Sequence, residues 1–323
     1  MGVGGDGEGV ERLEHGHGAV VPRNVLPLFG RALPKFKRFF WDGKVEVEED
    51  GRIVSMFGRE LPDGFSSALA VASILPILER DEFLGMKTIF GGNDIQREVE
   101  DSYYTERYAL VERALAKRLT EDSTSKLVED LEEQNYSVDD LSLVSIGNHL
   151  ADFIGSKFEC EQSSWDRHLS GDRAALSDGA KKGAIVFFGR GHCVSCHNGP
   201  HFSDFRFHSL GVPQGGLGPH SRRRDIGRAA VTHSNADLYQ FRTPPLIRVS
   251  ETGPYGHNGV FQDLHSVVLH HVNPISIYLA KPSLSEADQL SVGKLMTSRT
   301  ALLSHIDLLG RDVVNLVEFL ESL

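Results

Sequence analysis

Two cysteines three positions apart, with a histidine directly after the second, occupy residues 193–197 as Cys-Val-Ser-Cys-His. This spacing is the attachment signal for a c-type haem. Each thiol can form a thioether with one haem vinyl group, and the adjacent His197 is placed to offer an imidazole nitrogen to the iron on one face. Five residues thus imply a cofactor, a compartment and a class of redox chemistry.

Two other readings of the run compete at this level. A Cys-x-x-Cys pair can be half of a four-ligand zinc site, which His192, His201 and His208 could complete. A thioredoxin-like redox pair belongs at a strand-to-helix junction in a βαβ pattern, and no such pattern surrounds Cys193. The third cysteine of the chain, Cys160, reads as a small buried hydrophobe rather than a ligand.

At 323 residues the chain is longer than one average domain, so two are expected. Its net charge of −11 argues against nucleic acid or an anionic membrane as a partner, and could steer a basic electron-transfer protein towards it. No apolar run reaches the length of a bilayer span. Haem c attachment takes place outside the bacterial cytoplasm, which calls for a secretory leader. Residues 1–18 are Gly-rich and acidic, without a basic or an apolar leader region, so a trimmed or incomplete chain is expected.

The opening forty residues read as loop, punctuated by Gly and by Pro22, Pro27 and Pro34. Residues 66–79 suggest a short helix interrupted at Pro76. Residues 94–120 carry a mixed-charge helical pattern with Tyr104, Tyr108, Val111 and Leu115 on related faces. Asp139 and Asp140 are candidate caps for a helix whose apolar stripe runs through Leu143, Ile146, Leu150, Phe153 and Ile154. Ser177 starts a helix through Ala180, Ala184 and Phe187 that leads into the haem motif. Residues 198–260 suit a long loop wrapped over a cofactor, and 311–323 close the chain with a helix. The fold class is therefore mainly α with large ordered loops, and no internal repeat is visible.

The stretch GHCVSCHNGPHFSDFRFHSLGVPQ, followed by DIGR, FRTPPL and TGPYGHNG, resembles the second haem domain of the bacterial dihaem cytochrome c peroxidase and MauG family. PRNVLPLF, FFWDGK and RDEFLGM resemble the family's first domain, and SSWDRHLSGDRAALSDGAKKGAIVFFG its usual approach to the second haem. The resemblance implies two cytochrome c-like domains with the cofactor at their interface. Residues 1–162 would form the first and 163–323 the second, with helix 311–323 free to pack back on the first. It also implies that Cys193, Cys196 and His197 hold the electron-transferring haem. The family's distal ligand, Met or Tyr, falls at His271 here, with His270 as the fallback. Met296 lies outside the matching segment. A His/His haem should have a lower potential than a His/Met one.

By the same resemblance Asn24, Thr252 and Pro254 match the family's calcium ligands, one side-chain and two main-chain oxygens of the kind a hard cation needs. Trp41 matches the electron relay between the haems. Glu82 takes the place of the glutamate at the peroxide site, where a carboxyl can relay a proton. Read without the family, Trp41 would be core and Glu82 a surface residue. The implied activity is peroxide reduction or a MauG-type oxidation in the periplasm, with hydrogen peroxide as substrate. A small cytochrome c or cupredoxin would donate the electrons. A homodimer is left open.

Two departures stand out. The family's first Cys-x-x-Cys-His is expected ahead of the GVGG segment with which this sequence opens, so one covalent haem is expected in this chain against two in the family. Val3 stands where peroxidases often carry a His ligand in the Gly-rich run, which suits an open iron; His15 and His17 read as solvated loop residues. The rival readings are a monohaem electron carrier without peroxidase activity and a degraded gene product.

Overall fold

The computed structural model describes residues 2–4, 19–21, 23–56, 61–79, 104–121, 129–130, 133–134, 137, 141–214, 224–274 and 286–323. Two compact units share the chain. The bulk of one is Val45–Lys157; the other joins Arg23–Lys44 to Phe158–Gly216 and Arg223–Leu323. Residues 23–44, assigned by sequence to the first domain, thus cluster with the C-terminal segments.

The first unit is built on three helices, α1 (Ala68–Leu78), α2 (Tyr104–Glu121) and α3 (Leu143–Lys157), beside a hairpin of β1 (Val45–Val47) and β2 (Ile53–Ser55) paired Val45 to Ser55. Ser67 caps α1, its Oγ accepting from the Ala70 amide at 3.2 Å. Contrary to the sequence expectation, α1 is not interrupted at Pro76 but runs through it to Leu78. So close to the C-terminus, the missing N–H of Pro76 removes a single ladder bond, while Ile74, Leu75 and Leu78 remain buried. A second correction concerns α3. Its cap is Ser142, whose Oγ accepts from the Ser145 amide at 3.0 Å; Asp139 and Asp140 lie outside the described residues. Ile74, Leu78, Val111 and Leu143 form the core, with Tyr108, Leu115 and Ile146 against it. Phe153, placed by sequence on the apolar stripe, is exposed.

In the second unit, Ser163 caps α4 (Ser164–Leu169) and Ser177 caps α5 (Asp178–Phe188), the latter with Oγ accepting from the Ala180 amide at 2.9 Å. Across α5 runs α8 (Gly310–Leu320), the C-terminal helix; α6 (Leu264–Val272) and α7 (Glu286–Thr297) precede it. Gly183 sets the approach of α5 to α8. A Cβ there would collide with the Asn315 carbonyl, so a side chain would force the helices apart. Phe187, Leu316, Phe319 and Leu320 fill the contact, with Trp165 edge-on to Phe319 at 5.1 Å. Between α5 and α6 the chain is mostly irregular, as expected, apart from short turns and a two-residue ladder of β3 (Phe207–His208) with β4 (Phe241–Arg242).

Long-range hydrogen bonds, rather than regular structure, hold these loops. Arg23 takes both Asp225 carboxylate oxygens, Nε to Oδ2 at 2.7 Å and Nη2 to Oδ1 at 2.9 Å, while Nη1 reaches Asp42 at 2.5 Å. Burial opposes all three charges. The paired carboxylates nonetheless hold the Arg23 guanidinium above its usual range, and Arg23 holds both carboxyls below theirs.

Candidate functional site

Helix α5 delivers the chain to the haem motif. A 3-10 turn over Cys193–Ser195 follows, closed by the Cys196 amide on the Cys193 carbonyl at 3.2 Å and the His197 amide on the same oxygen at 2.8 Å. Both thiols and the His197 imidazole thereby line one cavity within the second unit. Neither thiol is in a disulfide. Burial pushes the Cys193 thiol up to about 12, so it is protonated at neutral pH and ill suited to thiolate chemistry.

His197 Nδ1 donates to the Phe202 carbonyl at 2.9 Å, and no described residue partners its Nε2. Burial lowers its pKa to about 4, so the ring is neutral at pH 7. His271, near the C-terminus of α6, repeats the pattern: its Nδ1 donates to the Val267 carbonyl at 2.7 Å, Nε2 is left without a partner, and burial lowers its pKa. A charge on His271 would add to burial in disfavouring one on His197. A backbone carbonyl on Nδ1 fixes tautomer and ring orientation and turns Nε2 into a ligand atom. His270, one residue earlier, is fully buried away from this cavity, with Nε2 on the Leu210 carbonyl at 3.1 Å and its ring against Phe261.

The remaining wall is largely apolar, with Phe187, Leu210, Val267, Leu295, Leu303 and Leu316 among its members. Two thiols, two neutral imidazoles with free Nε2 atoms and an apolar wall are a donor set that fits a c-type haem. The zinc set considered from sequence does not assemble. Among the described residues the one cluster of potential metal donors is Cys196, Asp204 and His208, without Cys193, His192 or His201. Asp204 accepts from His208 Nε2 at 2.9 Å; burial opposes the His208 charge, but Asp204 and Cys196 together outweigh it and raise His208 to about 9.

Trp41 is buried on the same cavity, its indole Nε1 donating to the Asn24 carbonyl at 2.9 Å. Asn24, Thr252 and Pro254 also line this cavity. Asn24 Nδ2 donates to the Pro254 carbonyl at 2.5 Å. Turning that amide over would set two oxygens face to face, an arrangement that wants a cation between them. Glu82, His15 and His17 lie outside the described residues, and of Val3 only the backbone is described.

Sequence reasoning passed over Arg242 and His257. Both are buried and line the cavity, His257 stacked on Phe241 with centroids 3.7 Å apart and its Nε2 without a partner. The signal for Arg242 was an arginine inside the apolar, proline-flanked run FRTPPL.

Fold and site together are those of a largely helical protein with a cavity whose donors fit a c-type haem. No family model matches the chain. The chain is 33% identical over 156 residues to the cytochrome-c peroxidase IdrP2 of Pseudomonas sp. (strain SCT), a match covering 42% of each protein. It is 37% identical over 111 residues to the methylamine utilization protein MauG of Methylophilus methylotrophus, covering 33% of this chain and 30% of MauG. The matches span less than half the length of these curated relatives. A variant of the dihaem peroxidase BthA from Burkholderia thailandensis shares the fold, with a TM-score of 0.52 at 20% identity over 97% of this chain and 76% of that one. Over these stretches the chain is similar in sequence to cytochrome-c peroxidases and MauG.

Proposed function

We propose that this chain is the electron-transferring part of a periplasmic dihaem peroxidase of the cytochrome c peroxidase and MauG type. The observation that carries the reading is the convergence of Cys193, Cys196, His197 and His271 on one apolar cavity, both imidazoles with Nδ1 tied to a carbonyl and Nε2 bare. When bound, a c-type haem supplies reversible one-electron transfer there. Cys193 and Cys196 would tether it, and the Nε2 atoms of His197 and His271 would bind its iron. Burial keeps both imidazoles neutral and available.

Trp41 lies in the same cavity wall and serves as the relay by which electrons leave towards the peroxide site. Its indole is locked by the Asn24 carbonyl, and Asn24, Thr252 and Pro254 hold the calcium ion that fixes this wall. Glu82 handles the proton at the peroxide site. The two cytochrome c-like domains are the unit built on Val45–Lys157 and the unit that joins Arg23–Lys44 to Phe158–Gly216 and Arg223–Leu323. Hydrogen peroxide is the acceptor, and a small cytochrome or cupredoxin docks on the acidic chain as donor. No helix among the described residues is long and apolar enough to cross a membrane.

The test is haem stoichiometry together with turnover. The matured chain should carry covalent haem; joined to a segment that carries the family's first haem motif it should reduce hydrogen peroxide at the expense of a reduced cytochrome, and Trp41→Phe should slow that turnover while leaving the haem spectrum intact. Covalent haem without peroxide turnover would mark a simple electron carrier instead.

A further inference from the structure

Arg242 is 2% exposed and lines the haem cavity. Its backbone amide donates to the Trp41 carbonyl at 2.8 Å, Nε donates to the Phe40 carbonyl at 2.9 Å, and Nη1 donates to the Thr243 carbonyl at 3.3 Å. The guanidinium lies over the rings of Phe36 and Phe205, 5.6 and 5.8 Å from their centroids. Three of its five N–H donors are left without a protein acceptor, and no carboxylate among the described residues pairs with it. The charged group it does sense is Arg31, of the same sign; burial and that repulsion hold its pKa down to about 9.

The contrast with Arg23 is decisive. That guanidinium, buried in the same unit, is paired with two carboxylates. A buried cation without a counter-charge is strongly unfavourable, so the fold calls for an anion at Arg242. The free N–H groups form a planar fork, which matches a carboxylate.

We propose that Arg242 binds a haem propionate, neutralising it inside the cavity and fixing the haem edge beside Trp41. This rests on the haem reading above. Phe36 and Phe205 hold the fork flat, and the Phe40 and Thr243 carbonyls aim it. The hydrogen bond from the Arg242 amide to the Trp41 carbonyl then couples haem placement to relay placement, which makes Arg242 a determinant of electron transfer as well as of binding.

The experiment uses the haem-loaded chain and its Arg242→Gln and Arg242→Lys variants. Resonance Raman reads the propionate bending band, and spectroelectrochemistry at pH 7.5, where the propionate is ionised and Arg242 keeps its charge, reads the midpoint potential. In Arg242→Gln the band should move and the potential should fall, because losing a nearby cation favours ferric haem. Arg242→Lys should keep the potential near the parent's while still moving the band, since the fork is lost and the charge kept. Band and potential both unchanged in a haem-loaded Arg242→Gln would overturn the proposal. If Arg242→Gln fails to mature, an unmoved band in Arg242→Lys overturns it on its own. A parent chain that never takes up haem is a different failure, that of the haem reading itself.

Discussion

His197 and His271 enter one cavity from different elements, a 3-10 turn and a helix, and each is oriented by the same device: Nδ1 bound to a backbone carbonyl, at 2.9 and 2.7 Å, with Nε2 bare. Two neutral imidazoles presented in this way would each offer Nε2 to a metal, whereas His270 spends its Nε2 on the Leu210 carbonyl.

The axial assignment is separable from mere packing. His271→Ala in the haem-loaded protein should turn a six-coordinate low-spin spectrum into a five-coordinate one. His270→Ala should keep the low-spin spectrum and lower stability by about 2–4 kcal/mol through cavity formation and the lost Leu210 bond. Optical and electron paramagnetic resonance spectra decide between them. A low-spin His271→Ala protein would refute the pairing.

Contact between α5 and α8 depends on Gly183 having no side chain. Gly183→Val should destabilise the protein by about 3 kcal/mol, as overpacking meets backbone rather than a yielding side chain. Thermal unfolding of the haem-loaded protein measures it; an unchanged Tm would mean the helices separate freely.

Asp42 and Asp225 have folded-state pKa values held below the ordinary 3.8, burial being outweighed by Arg23. The unfolded state therefore binds more protons in acid. Their contribution is complete above pH ~4–5 and is lost as pH falls through the folded values. Asp225→Asn should flatten part of this acid slope and cost about 3–5 kcal/mol at neutral pH, by stranding half of the Arg23 charge. Urea midpoints between pH 3 and 7 provide the check. An acid slope equal to the parent's would contradict the assignment.

The cation reading makes a compositional prediction. Atomic absorption on chelator-free protein should find one calcium per chain, absent from Asn24→Leu. Chelation should lower the Tm of the parent and leave that of Asn24→Leu unmoved. Equal calcium content in both proteins would exclude Asn24 as a ligand.

What the sequence disclosed follows from the range of the interactions involved. The Cys193–His197 run, the Ser177 cap and the closing helix are written in neighbouring residues, so spacing reveals them. His271 came from the resemblance, and its separation from His270 needed the helix phase that only the folded α6 supplies. Arg23 and Asp225 are 202 positions apart, and Arg242 reaches Phe40 across the same separation. No local pattern marks such pairs. Ser142 displaced Asp139 and Asp140 as a cap because the helix starts later than its polar flank suggests. Pro76 misled because its cost depends on distance from the helix end, which periodicity does not locate.

The most direct test is the intact mass of the chain matured with c-type haem assembly factors, under denaturing conditions that strip any non-covalent cofactor. The account predicts the polypeptide mass plus one haem, reverting to the bare polypeptide when Cys193 and Cys196 are both replaced by Ala. An unmodified mass in the parent, or zinc in place of iron, would contradict it.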